Sequence, residues 1–151
     1  MNLTLEPEIV QWPPTHYVFL EKTGPFMQTA FPAWQELHKL EPIISEHNQI
    51  TGAMALYKMK PDTYRAGYIL AAPPVSLPRE LSYELLSGGK YSKFVLTGSY
   101  SNLPQASGRV WEFVSKSNMM LRPDFAIEHY GNDPKTIPED GLITEILIPT
   151  A

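Results

Sequence analysis

Short apolar runs alternate along this chain with two longer patterns of helical spacing. Alternating apolar and polar residues predict eight strands, at 8–12, 16–21, 53–59, 64–71, 81–86, 91–97, 125–130 and 142–148. Apolar residues recur at helical spacing over 26–40 and again over 102–117. Each helical pattern has a proline near its start, so we expect the first helix to begin near Phe31 and to end at Glu41-Pro42. Strands and helices in this order indicate an α+β fold.

The order of elements repeats in the second part of the chain. Each half has the sequence strand, strand, helix, strand, strand, and Lys22-Thr23-Gly24-Pro25-Phe26 in the first corresponds to Leu96-Thr97-Gly98-Ser99-Tyr100 in the second. Closely spaced prolines make residues 72–79 the expected connector. We therefore predict one domain over residues 1–151, built of half-repeats at about 1–72 and 79–151. Two similar small units gain by packing together, so pseudo-twofold symmetry around a central groove is expected.

Composition narrows the class of protein and of partner. With 151 residues, of which 43% are hydrophobic and 19% charged, the chain is a globular protein. A net charge of −4 and the absence of lysine and arginine clusters argue against direct binding of nucleic acid. The N-terminus lacks the features of a signal peptide and no long apolar run occurs, so a cytoplasmic protein without membrane contact is expected. The four histidines show no metal-ligand spacing, and no metal or cofactor is predicted.

The strand at 125–130 contains an acid among apolar residues. Side chains alternate across a strand, so Ala126, Glu128 and Tyr130 are expected on one face, with Phe125, Ile127 and His129 on the other. Two interpretations of Glu128 remain open: an ordinary surface residue, or an ionisable group in an apolar pocket, where such groups usually serve a function.

Three stretches of the chain resemble the GyrI-like small-molecule-binding domain, which is also the effector-binding domain of multidrug-sensing transcription regulators. They are Thr97-Gly98-Ser99-Tyr100, then Glu128-His129-Tyr130-Gly131-Asn132-Asp133-Pro134, and the final Leu142-Ile143-Thr144-Glu145-Ile146-Leu147-Ile148-Pro149. The resemblance extends from about Glu8 to Pro149. It implies duplicated β-α-β-β units, with antiparallel sheets and one main helix per half, around a groove that accepts bulky, flat and often cationic molecules. It also implies that Glu128 is the acid of that groove.

Six residues are predicted to contact a ligand: Glu128, Tyr130, Tyr68, Tyr64, Trp111 and Trp34. For the tyrosines and tryptophans, packing in the core is the alternative. His129 is expected to have a structural role and Glu145 to be solvated or paired across the sheet. Asn132 and Asp133 are expected to shape a turn.

The sequence therefore predicts a stand-alone protein that binds a hydrophobic, aromatic small molecule, either neutral or cationic, as a sensor, carrier or sequestering agent. No DNA-binding segment accompanies the expected groove. One alternative is a hydrolase of reactive aromatic electrophiles with Glu128 as general base. No second catalytic group is evident, so an enzyme is the less favoured interpretation. Another alternative, implied by the resemblance, is an inhibitor that binds a protein partner, as the gyrase inhibitors of the GyrI-like family do.

Overall fold

A computed structural model describes the whole chain, residues 1–151. It has nine strands and two α-helices, which in chain order are β1 (Asn2–Leu3), β2 (Glu8–Trp12), β3 (Thr15–Thr23), α1 (Phe26–His47), β4 (Ile50–Lys58), β5 (Thr63–Leu70), β6 (Ser82–Leu86), β7 (Gly89–Thr97), α2 (Leu103–Lys116), β8 (Ala126–Tyr130) and β9 (Ile143–Pro149). All named strand pairs are antiparallel. The predicted α+β class with antiparallel sheets is confirmed. Neither helix is long and apolar enough to span a membrane.

The chain folds as two compact units. One comprises residues 13–88 and is called the central unit; the other comprises residues 1–12 and 89–151 and is called the split unit. The predicted halves, 1–72 and 79–151, have other limits, because β6 pairs with β3 and β2 pairs with β7. The description as a duplicated, pseudo-twofold domain therefore stays a prediction.

The central unit is a four-stranded sheet in the order β4, β5, β3, β6, with α1 packed against β3 and β5. The predicted hairpin at Lys60-Pro61-Asp62 is confirmed, since β4 and β5 pair with Ala55 opposite Ala66. On the sheet, the Tyr17 ring lies over Gly67, and the Tyr17 hydroxyl donates to the Met54 carbonyl oxygen at 2.8 Å. Burial of Tyr17 and Met54 makes this contact part of the core.

Helix α1 is longer than the sequence predicts. It begins at Phe26 and ends at His47, with Pro32 and Pro42 inside it, so the expected limits near Phe31 and at Glu41-Pro42 are wrong. Both prolines are exposed, which lets solvent satisfy the carbonyl groups that lose an intrahelical partner. Four buried residues distributed along the helix hold it to the sheet across both prolines: Thr29, Ala33, Leu37 and Ile44. Tertiary packing has thus overridden the local signal to end the helix.

The split unit is a sheet in which β1 and β2 both pair with one edge of β7, β7 pairs with β9, and β9 pairs with β8. Helix α2 covers one face, burying Ala106, Val110 and Val114. The Phe113 ring meets the Phe94 ring edge-on, with centroids 5.7 Å apart. The predicted helix at 102–117 and its early proline are confirmed. Of the two faces of this sheet, the one under α2 carries Glu128.

Candidate functional site

A tight turn after β8 fixes the end of the strand that carries Glu128. The Asn132 side chain accepts a hydrogen bond from the Ile143 amide and donates one to the Gly141 carbonyl oxygen, both at 2.9 Å. The Asp133 carboxylate accepts a hydrogen bond from the Lys135 amide, also at 2.9 Å. The predicted turn-shaping roles of Asn132 and Asp133 are confirmed. These bonds hold β8 in register with β9, where Glu128 lies opposite Ile146.

The carboxylate of Glu128 has two hydroxyl partners and no cationic one. Ser107 of α2 donates to Oε2 at 3.1 Å, and the Tyr130 hydroxyl lies 3.5 Å from Oε1. Neither contact is with lysine, arginine or histidine. Burial raises the pKa of Glu128 above its ordinary value, and the bonds from Ser107 and Tyr130 partly oppose this rise. Glu128 is thus an acid held beside a helix, with an incompletely balanced charge.

Two tyrosines form an aromatic contact next to this acid. The Tyr130 and Tyr100 rings meet edge-on, with centroids 5.3 Å apart. Tyr100 begins the short 3-10 turn Tyr100–Asn102 that precedes α2. The structure therefore brings together the predicted pair Glu128 and Tyr130, and adds Tyr100 and Ser107, which the sequence did not single out as site residues.

The opposite face of the sheet carries a separate ionic network. His129 Nδ1 lies 2.8 Å from Glu145, and Lys93 Nζ lies 3.3 Å from the same carboxylate. The pKa of Glu145 is lowered, chiefly by the hydrogen bond with His129. The Trp12 ring meets the His129 ring edge-on at 5.1 Å. The predictions that His129 faces away from Glu128 and that Glu145 is paired across the sheet are confirmed.

Three of the predicted ligand contacts lie in the central unit. Trp34 of α1 donates through Nε1 to the Tyr64 hydroxyl of β5 at 2.8 Å. Tyr68 lies four residues after Tyr64, on the same face of β5. It is buried, and its hydroxyl has no hydrogen-bond partner. Burial, with a smaller contribution from Glu41, raises the pKa of Tyr68. Tyr64 and Trp34 thus form one direct pair, while Tyr68 presents an unsatisfied donor.

Trp111 lies in the split unit, one helical turn along α2 from Ser107. It lines a surface pocket of about 420 Å³ with Val114, Ser115, Asn118, Met119 and Leu121. Whether all six predicted contact residues meet one ligand stays a prediction.

No group of three or more acidic or histidine side chains lies close enough together to hold a metal ion.

Replacing Glu128 with glutamine is expected to stabilise the ligand-free protein at neutral pH. Because burial raises the pKa of Glu128, the folded state holds its proton more tightly than the unfolded state does. The ionised side chain therefore costs stability as pH rises through the raised pKa, whereas glutamine does not titrate. Urea unfolding is expected to show a gain for Glu128→Gln at neutral pH that shrinks toward pH 4.5, the ordinary value.

The matched control is Glu112→Gln, which removes the same charge from an exposed position on α2. A hydrogen bond from Lys116 lowers the pKa of Glu112, so this change is expected to have the opposite sign. A Glu128→Gln protein less stable than wild type at neutral pH would contradict the assignment of a half-buried carboxylate without a balancing charge.

Comparison with known proteins identifies the family. A sequence model described as the GyrI-like small molecule binding domain matches residues 5–151. The chain belongs to the GyrI-like family. No curated protein matches this GyrI-like chain.

Solved structures share the fold of this GyrI-like chain at low sequence identity. SAV2435 bound to tetraphenylphosphonium superposes with a TM-score of 0.78 at 16% identity, covering 97% of this chain and 94% of that one. The C-terminal domain of EcmrR gives a TM-score of 0.78 at 13% identity, covering 97% of each chain. A hydrolase from Listeria innocua gives 0.60 at 11% identity, covering 98% of this chain and 93% of that one. At such identities these likenesses concern the fold.

The sequence contained weak signals for the two residues that it did not identify. Ser107 and Trp111 are four residues apart in the predicted helix, which places them on one side of it. Tyr100 ends the Thr97-Gly98-Ser99-Tyr100 motif, so its contact with Tyr130 depends on how that motif folds back onto β8. Only the tertiary structure supplies that contact.

Proposed function

We propose that this chain binds hydrophobic cations that carry aromatic groups, with Glu128 as the anionic partner. One observation carries the proposal: the Glu128 carboxylate is held by two hydroxyl groups and has no cationic partner within the protein. Removing a carboxylate from water is costly unless an opposite charge or strong hydrogen bonds compensate it. A bound cation would provide the missing compensation.

The aromatic residues around this acid suit the rest of such a ligand. Tyr130 and Tyr100 present rings beside Glu128, and tyrosine rings attract cations through their faces. Tyr64, Tyr68 and Trp34 of the central unit, and Trp111 of α2, are proposed as further aromatic contacts. The family description as small molecule binding, and a similar fold bound to tetraphenylphosphonium, support this class of ligand.

We propose that the protein acts as a sensor, carrier or sequestering agent for such cations. The acidic composition, without a cluster of lysine and arginine, favours capture of a cationic ligand over direct contact with nucleic acid. Capture alone requires no group beyond a charged residue and aromatic rings, and Glu128, Tyr130 and Tyr100 provide both.

A matched pair of ligands tests the proposal by thermal shift. Tetraphenylphosphonium is expected to raise the Tm of the wild-type protein increasingly with concentration, because a ligand that binds only the folded state stabilises it by mass action. Triphenylphosphine oxide, a neutral molecule with three of the same rings, is expected to raise the Tm much less. Equal shifts with both compounds would show that charge does not determine binding, and no shift with either would overturn the proposed ligand class.

Hydrolysis is the second candidate function, and the raised pKa of Glu128 favours it, because a proton acceptor works best when its pKa is close to the working pH. A structure with this fold is described as a hydrolase. Product formation from a reactive aromatic electrophile by wild type, abolished in Glu128→Gln while tetraphenylphosphonium still binds, would favour catalysis over capture.

A further inference from the structure

The hydroxyl group of Tyr100 is a buried donor that the folded protein does not use. Its oxygen atom is inaccessible to solvent and has no hydrogen-bond partner. The ring to which it belongs packs against Tyr130, whose own hydroxyl lies 3.5 Å from Glu128. The ring that carries the unsatisfied hydroxyl therefore packs against a residue that is hydrogen-bonded to the carboxylate.

A buried hydroxyl without a partner is unfavourable for folding, so its presence calls for another explanation. Phenylalanine would provide the same ring contact to Tyr130 without that cost. Two buried tyrosines show the usual solution, since Tyr17 donates to the Met54 carbonyl oxygen and Tyr64 accepts from Trp34, whereas Tyr68 shares the unpartnered state of Tyr100. Burial raises the pKa of Tyr100, so the group remains an O–H donor at neutral pH.

A second unsatisfied hydroxyl lies next to Tyr130. Thr144 of β9 is directly opposite Tyr130 in the β8–β9 pair, and its Oγ1 atom is buried without a partner. Unsatisfied hydroxyls thus occur on two elements that contact Tyr130, the 3-10 turn before α2 and strand β9. A further buried hydroxyl without a partner occurs at Tyr68 of the central unit, so what distinguishes Tyr100 and Thr144 is that both lie next to Tyr130.

We propose that the Tyr100 hydroxyl donates a hydrogen bond to an oxygen acceptor on the ligand that Glu128 binds. The preferred ligand class is then an aromatic cation that also carries a carbonyl or similar oxygen, and not a purely hydrocarbon cation. This inference rests on the proposed function. It makes Tyr100 a specificity-determining residue, since the hydrogen bond distinguishes ligands that have the same charge and rings.

Matched phosphonium ions test the inference. One set consists of acetylphenyl-triphenylphosphonium ions with the acetyl group in the ortho, meta or para position; the other replaces acetyl with isopropyl, which has similar size but no acceptor. At least one acetyl ion is expected to bind wild type roughly fivefold more tightly than its isopropyl counterpart. Tyr100→Phe, which keeps the ring, is expected to remove that difference, so that the acetyl and isopropyl ions bind the variant with equal affinity. Isothermal titration gives both affinities.

The ligand-free protein provides an independent readout. Tyr100→Phe is expected to leave the Tm unchanged or raise it, because an unsatisfied group is removed while the ring remains. A clearly lower Tm would show that the hydroxyl has a structural partner and would overturn the inference.

The binding outcomes distinguish this inference from the function on which it rests. Binding of tetraphenylphosphonium that depends on Glu128, with no preference for any acetyl ion or with a preference that persists in Tyr100→Phe, would overturn the role of Tyr100 alone. Failure of every phosphonium ion to bind wild type would overturn the proposed function and this inference with it.

Discussion

Substituting alanine for Gly67 is expected to lower the free energy of unfolding by about 3 kcal/mol, near the upper end of the usual cost of overpacking a core. A Cβ atom at this position would lie 2.5 Å from two atoms of the Tyr17 ring and 2.5 Å from the Val18 carbonyl oxygen. The Tyr17 ring is fully buried and its hydroxyl is hydrogen-bonded to the Met54 carbonyl oxygen, and the Val18 carbonyl belongs to the backbone of β3. Neither group can therefore move away from an added Cβ atom without a cost in packing or hydrogen bonding.

Gly108→Ala is the matched control for this substitution. Gly108 is inside α2, and a Cβ atom there would have no neighbour within 4 Å. Alanine in an exposed helix interior is expected to stabilise the protein by about 0.5–1 kcal/mol. The Tm should therefore change in opposite directions in the two variants, with a fall of roughly 6–12 °C for Gly67→Ala. Failure of Gly67→Ala to fold while Gly108→Ala folds agrees with this account; a Tm equal to that of wild type does not.

Glu128→Gln is expected to weaken the binding of tetraphenylphosphonium by about tenfold to a hundredfold, each factor of ten corresponding to about 1.4 kcal/mol. The substitution keeps the shape of the side chain and an oxygen that accepts the Ser107 hydrogen bond, so it removes chiefly the charge. In water two opposite charges at contact gain only about 1 kcal/mol, but several times more in a partly dehydrated site. Isothermal titration at neutral pH measures the difference.

Glu112→Gln separates this local effect from the overall charge of the protein. It changes the net charge by the same amount but at an exposed position, where solvent and salt screen the interaction with a bound ion. Its affinity for tetraphenylphosphonium is expected to equal that of wild type. A similar loss in both variants would attribute binding to the diffuse negative charge of the surface.

Much of the fold follows from local patterns, and the exceptions have physical causes. The hairpin of β4 and β5 and the apolar stripe of α2 depend on spacing and turn residues that are visible in the sequence. The limits of α1 could not be predicted from local patterns, because Pro32 and Pro42 are local signals to end a helix. Burial of Ala33, Leu37 and Ile44 stabilises the helix enough for it to continue past both prolines. The pairing of β6 with β3 is likewise long-range, and no local residue specifies it.

The candidate site was predictable as far as strand alternation extends. Alternation places Glu128 and Tyr130 on one face and His129 on the other, and the structure has this arrangement. It does not reveal which element covers that face. Ser107 reaches Glu128 because α2 packs across the sheet, and Tyr100 reaches Tyr130 because the turn before α2 folds back onto β8.

The most direct test of the central claim, that the ionised Glu128 carboxylate binds an aromatic cation, is the pH dependence of tetraphenylphosphonium affinity in wild type and Glu128→Gln. The wild-type affinity is expected to be constant well above the raised pKa of Glu128 and to fall as pH decreases through it, because protonation removes the charge. The affinity of Glu128→Gln is expected to be low and independent of pH, so that the two proteins converge in acid. Equal affinities at neutral pH, or the same pH dependence in both, would contradict the claim.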